Sequence, residues 1–199
     1  EVLISLLRSS RDPDVTDAAR QAIENIGPGA HDALMSALNS PSPATRREAS
    51  ILLSRQGEPK AAGAMLRALT EDPSDVRLQN ELVVLTCFDP RSEVDPLEAW
   101  WAWWDSVHRD DSLSWFRAAC EANGLISPPA ELFVQGSRQP DVIRFLLAAL
   151  KKDDVPYLME RARRELERMT GQDLGKLPGS PRSRAAWHET LVEALLGEH

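Results

Sequence analysis

Six tryptophans, four histidines and two cysteines are the residues of this chain best suited to binding or reaction. Trp100, Trp101, Trp103 and Trp104 crowd into one short segment, while Trp115 and Trp187 stand apart. An indole offers a large apolar face and one N–H donor. Trp100, Trp103, Trp104 and Val107 share one helical stripe, which reads as core. Trp101 falls off that stripe and is the candidate for an exposed anchor in a partner site, where Trp is enriched. His108-Arg109-Asp110 has the residue types of a phosphotransfer catalytic loop, but that pattern needs Asn five residues after the Asp, and Trp115 stands there. Gly171 to Lys176 has the flavour of a phosphate-cradling loop. It is one residue short, is followed by Leu177, and has no strand before it, so it reads as a turn-rich connection. His188-Glu189 begins like a zinc-binding helix, but no second His follows. The histidines and cysteines have no metal-ligand spacing, and Cys87 and Cys120 sit among apolar residues as buried free thiols do. No catalytic, cofactor-binding or metal-ligating residue is assigned, and no cofactor is expected.

Positive charge concentrates at Arg161, Arg163, Arg164 and Arg168. Glu160 with Arg164, and Arg163 with Glu167, are four residues apart, the spacing of helical ion pairs. Mixed charge of this kind reads as a solvated helix face. The alternative is a surface for an acidic partner, formed by Arg161, Arg164 and Arg168 with Arg182 and Arg184 across a loop, and extended by Lys151-Lys152.

The elements that position these residues come from a repeat. Pro13, Pro43 and Pro73 lie thirty residues apart, and each opens a helical pattern. After Pro13, the residues Val15, Ala18, Ala19, Ala22, Ile23 and Ile26 follow the i, i+3, i+4, i+7 spacing of one helix face. Gly27-Pro28-Gly29 stops that helix, and a second runs through Ala30, Leu34 and Leu38. Unit two repeats the scheme with Thr45 to Leu53, Gly57, and Ala62 to Leu69. Unit three opens at Asp75 with Leu78, Leu82 and Leu85. Asp and Ser before the first helices suit the N-cap. The remainder is helical and less regular, over 97–107, 113–122, 130–134, 141–150, 155–169 and 187–195. Leu85-Thr86 leads through a loop to Ala99-Trp100, and Met169-Thr170 leads through another to Ala186-Trp187. The second half therefore reads as a decorated repeat of the same type. No alternating strand pattern of useful length occurs.

The chain has 199 residues and a mass of 22.1 kDa, room for one domain or one run of small repeats. Its 42% hydrophobic and 27% charged residues are those of a soluble globular protein. A net charge of -8 disfavours nucleic acid and anionic membranes as partners. No apolar run reaches the ~18 residues of a membrane span. Two cysteines do not make a disulfide scaffold and slightly favour a reducing, cytoplasmic compartment. The chain begins at Glu1, and Glu1 to Leu7 already reads as helix, as in an excised or processed chain.

Asp14-Val15…Ala18-Ala19…Ile26-Gly27, Arg46-Arg47-Glu48-Ala49 and Asp75-Val76-Arg77 resemble HEAT-type repeats. Short repeats of this kind also occur in the HEAT-like relatives of phycobilisome lyases. The resemblance covers roughly residues 1–88 well and 89–199 less well. It implies an all-α fold, an α–α superhelix of antiparallel hairpins. Residues 1–88 are its regular repeats, and 89–199 are a Trp-rich continuation of the same solenoid. One hairpin cannot bury its own apolar face, so neighbours must stack. The function implied is that of a non-enzymatic scaffold, which binds a protein or another domain of the same chain in an extended groove. The lyase relatives imply instead an accessory factor for a chromophore or cofactor enzyme. A further resemblance is confined to Trp103-Trp104-Asp105-Ser106-Val107, which is similar to a segment of the HEAT-like alkylpurine DNA glycosylases. There the second Trp and a final Asp belong to the active site, where the carboxylate stabilises positive charge as the damaged base leaves. Those positions fall on Trp104 and His108. The carboxylate is missing, although Asp110 and Asp111 lie close by.

Overall fold

A computed structural model describes residues 2–9 and 12–197. Glu1, where the first helix is expected to begin, lies outside them. Eleven α-helices and two 3₁₀ turns, with no strand, make up the described residues. The helices are α1 (Val2–Ser9), α2 (Pro13–Ile26), α3 (His31–Ala37), α4 (Pro43–Arg55), α5 (Lys60–Glu71), α6 (Val76–Thr86), α7 (Pro96–Val107), α8 (Ser112–Ala122), α9 (Pro140–Ala149), α10 (Pro156–Thr170) and α11 (Pro181–Leu196). The chain divides into two compact units, Glu1–Ser112 and Leu113–His199. Within each unit, helices pack on their neighbours, as in an α–α solenoid.

Local chemistry sets the helix starts. Proline occupies the first turn of α2, α4, α7, α9, α10 and α11, where its missing N–H costs nothing. Just before them, Ser42 accepts from the Thr45 amide (3.3 Å) and Asp95 from the Glu98 amide (3.0 Å). The third proline behaves differently. Pro73 lies ahead of its helix, and Asp75 caps α6 by accepting from the Leu78 amide. Gly27–Ala30 forms a 3₁₀ turn between α2 and α3, with Gly27 at φ 59°.

In the first unit, α4 packs on α3, α5 and α6, and α5 packs on α6 and α7. Leu34, Ile51, Leu53, Met65, Leu66 and Leu82 are fully buried between them. Each contributes about 1.5–3 kcal/mol of apolar transfer. The repeat length also appears in polar contacts between first helices. Glu48 accepts from Arg20 Nε (2.9 Å), one repeat earlier, and from Arg77 (2.8 Å), one repeat later. Arg47 likewise reaches Asp75 (2.8 Å), and Arg55 reaches Glu81 (3.1 Å).

In the second unit, α9 packs on α10 and α11. Phe145 meets Phe116 and Phe133 edge-on, each at 5.9 Å between ring centroids. The helix expected over 130–134 is a single 3₁₀ turn, Ala130–Leu132. Pro128 and Pro129 lead into it, and Phe133 leaves the helical region to bury its ring. No helix among the described residues is long and apolar enough to cross a membrane.

Candidate functional site

The Trp-rich helix α7 comes after a loop that the sequence itself pins down. Thr86 Oγ1 donates to the Leu82 carbonyl (2.8 Å) and accepts from the Phe88 amide (3.2 Å). Cys87, between them, takes left-handed backbone (φ 55°) and ends α6. Phe88 then stacks on Trp103, with centroids 5.6 Å apart and planes 9° from parallel. The Trp100 indole N–H donates to the Phe88 carbonyl (3.4 Å), and Trp100 is 2% exposed. The loop and one side of α7 thus form a single aromatic block.

The other side of α7 lies on α5. A Cβ added to Gly63 would come within 2.9 Å of Trp104 Cζ2, so the missing side chain is what lets the helices approach. The Trp101 indole N–H points at Thr70 Oγ1, at 3.4 Å, long for such a bond. His108, exposed, closes this row beyond the helix end. Its ring centroid lies 5.9 Å from that of Trp104, and its Nδ1 donates to the Trp104 carbonyl (3.2 Å).

Of the stripe expected in the core, only Trp100 is fully buried, and Trp103, Trp104 and Val107 are half-buried. Trp101, the expected exposed anchor, is also half-buried, with α5 covering one edge. Asp105, Asp110 and Asp111 are exposed.

The arginines of α10 and α11 are placed in the second unit. Arg161 is 2% exposed, with its guanidinium 2.8 Å from Glu165 and 6.0 Å from the centre of the Phe116 ring. It lies inside the fold rather than on its surface. Arg164 is bonded to Glu160 (2.9 Å), and Arg163 is bonded to both Glu160 (2.7 Å) and Glu167. Glu160–Arg164 and Arg163–Glu167 are the four-residue pairs read from the sequence, in a half-buried setting, and Arg163–Glu160 adds a three-residue pair. Burial pushes the Glu160 carboxyl up, but Arg163 and Arg164 outweigh it and hold it below the usual carboxylate range. Arg168 donates to Glu165 (2.6 Å), Arg184 to Asp153 (2.8 Å), and Arg182 is exposed.

A recess of about 230 Å³ lies beside Arg184, lined also by Leu150, Lys151, Asp153, Pro181 and His188. His188 is buried there, and its Nε2 donates to the Leu147 carbonyl (3.0 Å). Burial pushes its pKa down. The loop from Gly171 turns amides to Glu167 of α10 and to its own Asp173. The Leu174 amide donates to Glu167 (3.1 Å) and the Gly175 amide to Asp173 (2.8 Å). Those amides are therefore turned to internal acceptors. Among the described residues, no three His, Cys, Asp or Glu side chains gather as metal ligands would.

Two residues outside the sequence-derived candidates shape the α5–α7 face. Thr70 carries no signal. Gly63 does carry one: it stands within Ala61-Ala62-Gly63-Ala64, where Ala would favour the helix by about 1 kcal/mol. A glycine at such a position marks a close approach.

No curated protein and no solved structure matches the chain. The family model for HEAT repeats does, over residues 1–84. The sequence pattern and the packed helices of that segment agree with the match, so residues 1–84 are similar to HEAT repeats.

Proposed function

We propose that the chain is a non-enzymatic scaffold that binds a protein partner or another domain of its own chain. HEAT repeats commonly act as protein-interaction scaffolds. The observation that carries the reading is the α5–α7 face, where two packed helices leave the indole of Trp101 partly exposed, with its N–H toward Thr70. A rigid aromatic anchor of this kind loses little entropy on binding. Second helices of successive pairs would line the groove, with Trp101 as its contact on α7. The overall charge of -8 favours a protein over a nucleic acid.

The test is a photo-crosslinking amino acid placed at Trp101 and, as a control, at Gln21, exposed on α2. Protein adducts formed at position 101 and absent at position 21 support the scaffold. Equal labelling at both positions argues against it. So does duplex DNA binding that weakens steeply with salt and strengthens at an alkylated base. That result would transfer the site to Trp104, His108 and Asp110 and make the chain a nucleic-acid enzyme.

A further inference from the structure

We infer that the α7 surface around Trp101 docks a basic polypeptide segment, with an arginine of that segment laid over the indole. The inference rests on the scaffold reading and names its partner class. Glu98 stands three residues before Trp101 and Asp105 four after it, and both are exposed. Helical spacing puts these two carboxylates above and below the indole on one face. The helix Pro96–Val107 contains no Lys or Arg. Glu93 and Asp95 precede it, and Asp110 and Asp111 come after it. Four cations lie nearby in sequence or on the adjoining helix, one of them Lys60 at the first residue of α5. Arg91 is bonded to Asp89 (2.6 Å) and Asn80 (2.7 Å), Arg109 stands just past the helix end, and Arg67 sits one turn before Thr70 on α5. Acidic groups dominate, so the face attracts cations and repels both acidic peptides and nucleic acid.

The pairing of indole with carboxylate selects arginine. A guanidinium stacks on the ring and donates in its own plane to a carboxylate at the same time, whereas an ammonium does one or the other. The aromatic block of Phe88, Trp100 and Trp103 holds α7 in place, so the surface is ready before the partner arrives.

The experiment is a calorimetric titration of the full chain with four synthetic peptides of equal length: arginine-containing, lysine-containing, acidic and neutral. The same titrations are run on Trp101→Ala and on Glu98→Gln/Asp105→Asn, with circular dichroism to check folding. The double variant touches only exposed side chains. The expected order is arginine over lysine, with acidic and neutral peptides not bound. Affinity should fall about fivefold in Trp101→Ala and about tenfold in the double variant, as for contacts at an anchor. Preference for a neutral or acidic peptide overturns the inference and leaves the scaffold reading standing. Equal arginine-peptide affinity in all three proteins also overturns it, since the site then lies elsewhere. No binding of any peptide, together with binding of duplex DNA, removes both readings.

Discussion

Glu48 is the residue on which the first unit's polar contacts converge. It is 7% exposed and receives Arg20, Arg47 and Arg77. Burial pushes its carboxyl up, yet Arg20 and Arg77 together hold it below the ordinary value. A carboxylate so held adds stability that is fully present above its unfolded pKa of about 4.3 and lost as pH falls through the folded value. Glu48→Gln is expected to cost roughly 3 kcal/mol at neutral pH, because three guanidinium groups lose their shared charge partner. Urea midpoints at pH 7 and pH 3.5 test this. The gap between variant and parent should narrow at the lower pH, and a gap of equal size at both would contradict the argument. Gly63 invites a second substitution. Alanine would improve the helix but meet the Trp104 ring at 2.9 Å. Gly63→Ala is expected to destabilise by about 1–3 kcal/mol, as overpacking does. Adding Trp104→Leu should recover part of that loss. Additive losses in the double variant would mean that the two residues do not press on each other.

At the scale of elements, the two loop connections show why similar sequence produces similar backbone. Thr86 and Thr170 each donate to the carbonyl four residues back, at 2.8 and 2.7 Å. Each also accepts from the amide two residues on, at 3.2 and 3.3 Å. The residue between is left-handed in both cases, Cys87 at φ 55° and Gly171 at φ 68°. The echo in the sequence is thus one local motif used twice. The helices entered from the two loops differ: Trp100 of α7 is buried, whereas in α11 Trp187 is half-buried and its neighbour His188 goes inside. His188 ties α11 to α9 through the Leu147 carbonyl. Burial lowers its pKa, with Lys151 acting in the same direction and the Leu147 carbonyl and Glu189 against it. The unfolded imidazole binds its proton near pH 6.5, whereas the folded one does so only at lower pH. Stability is therefore complete above about pH 6.5 and falls as pH drops from there toward the folded value. Thermal unfolding between pH 7.5 and 5, each value approximate, should show this loss, and His188→Gln should flatten it. An unchanged slope in His188→Gln would assign the pH dependence to other groups.

At the scale of the whole molecule, the chain contains two compact units, and α7 belongs to the first. Its packing on α5 supplies the last helix of that unit. A chain ending at Ser112 should therefore remain helical and unfold cooperatively in urea, observed by circular dichroism. A chain ending at Arg91 should lose stability, because it leaves the α5 face at Gly63 and Thr70 uncovered. If the shorter chain were as stable as the longer, α7 would be dispensable to the fold, and its tryptophans would have no packing role.

The repeat, the helix starts and the four-residue ion pairs of α10 were legible in the sequence because each depends on residues within a few positions of one another. Proline in the first turn, a capping side chain and a helix-period apolar stripe act locally. Even the HEAT resemblance rests on such local signals repeated at a constant interval. The burial of Arg161 was not legible, because it depends on Phe116, far away in the chain. The same holds for α7. Its stripe predicted three buried indoles, Trp100, Trp103 and Trp104, but only Trp100 is fully buried and the other two are half-buried, as is Trp101, which turns its N–H to Thr70 of α5. Which face of an amphipathic helix is covered, and by what, is decided by contacts between residues some thirty to forty positions apart, such as Trp104 with Gly63 and Trp101 with Thr70. The sequence alone determined most of the helices and the thirty-residue repeat of the first unit, and tertiary packing decided which tryptophans and arginines remain at the surface.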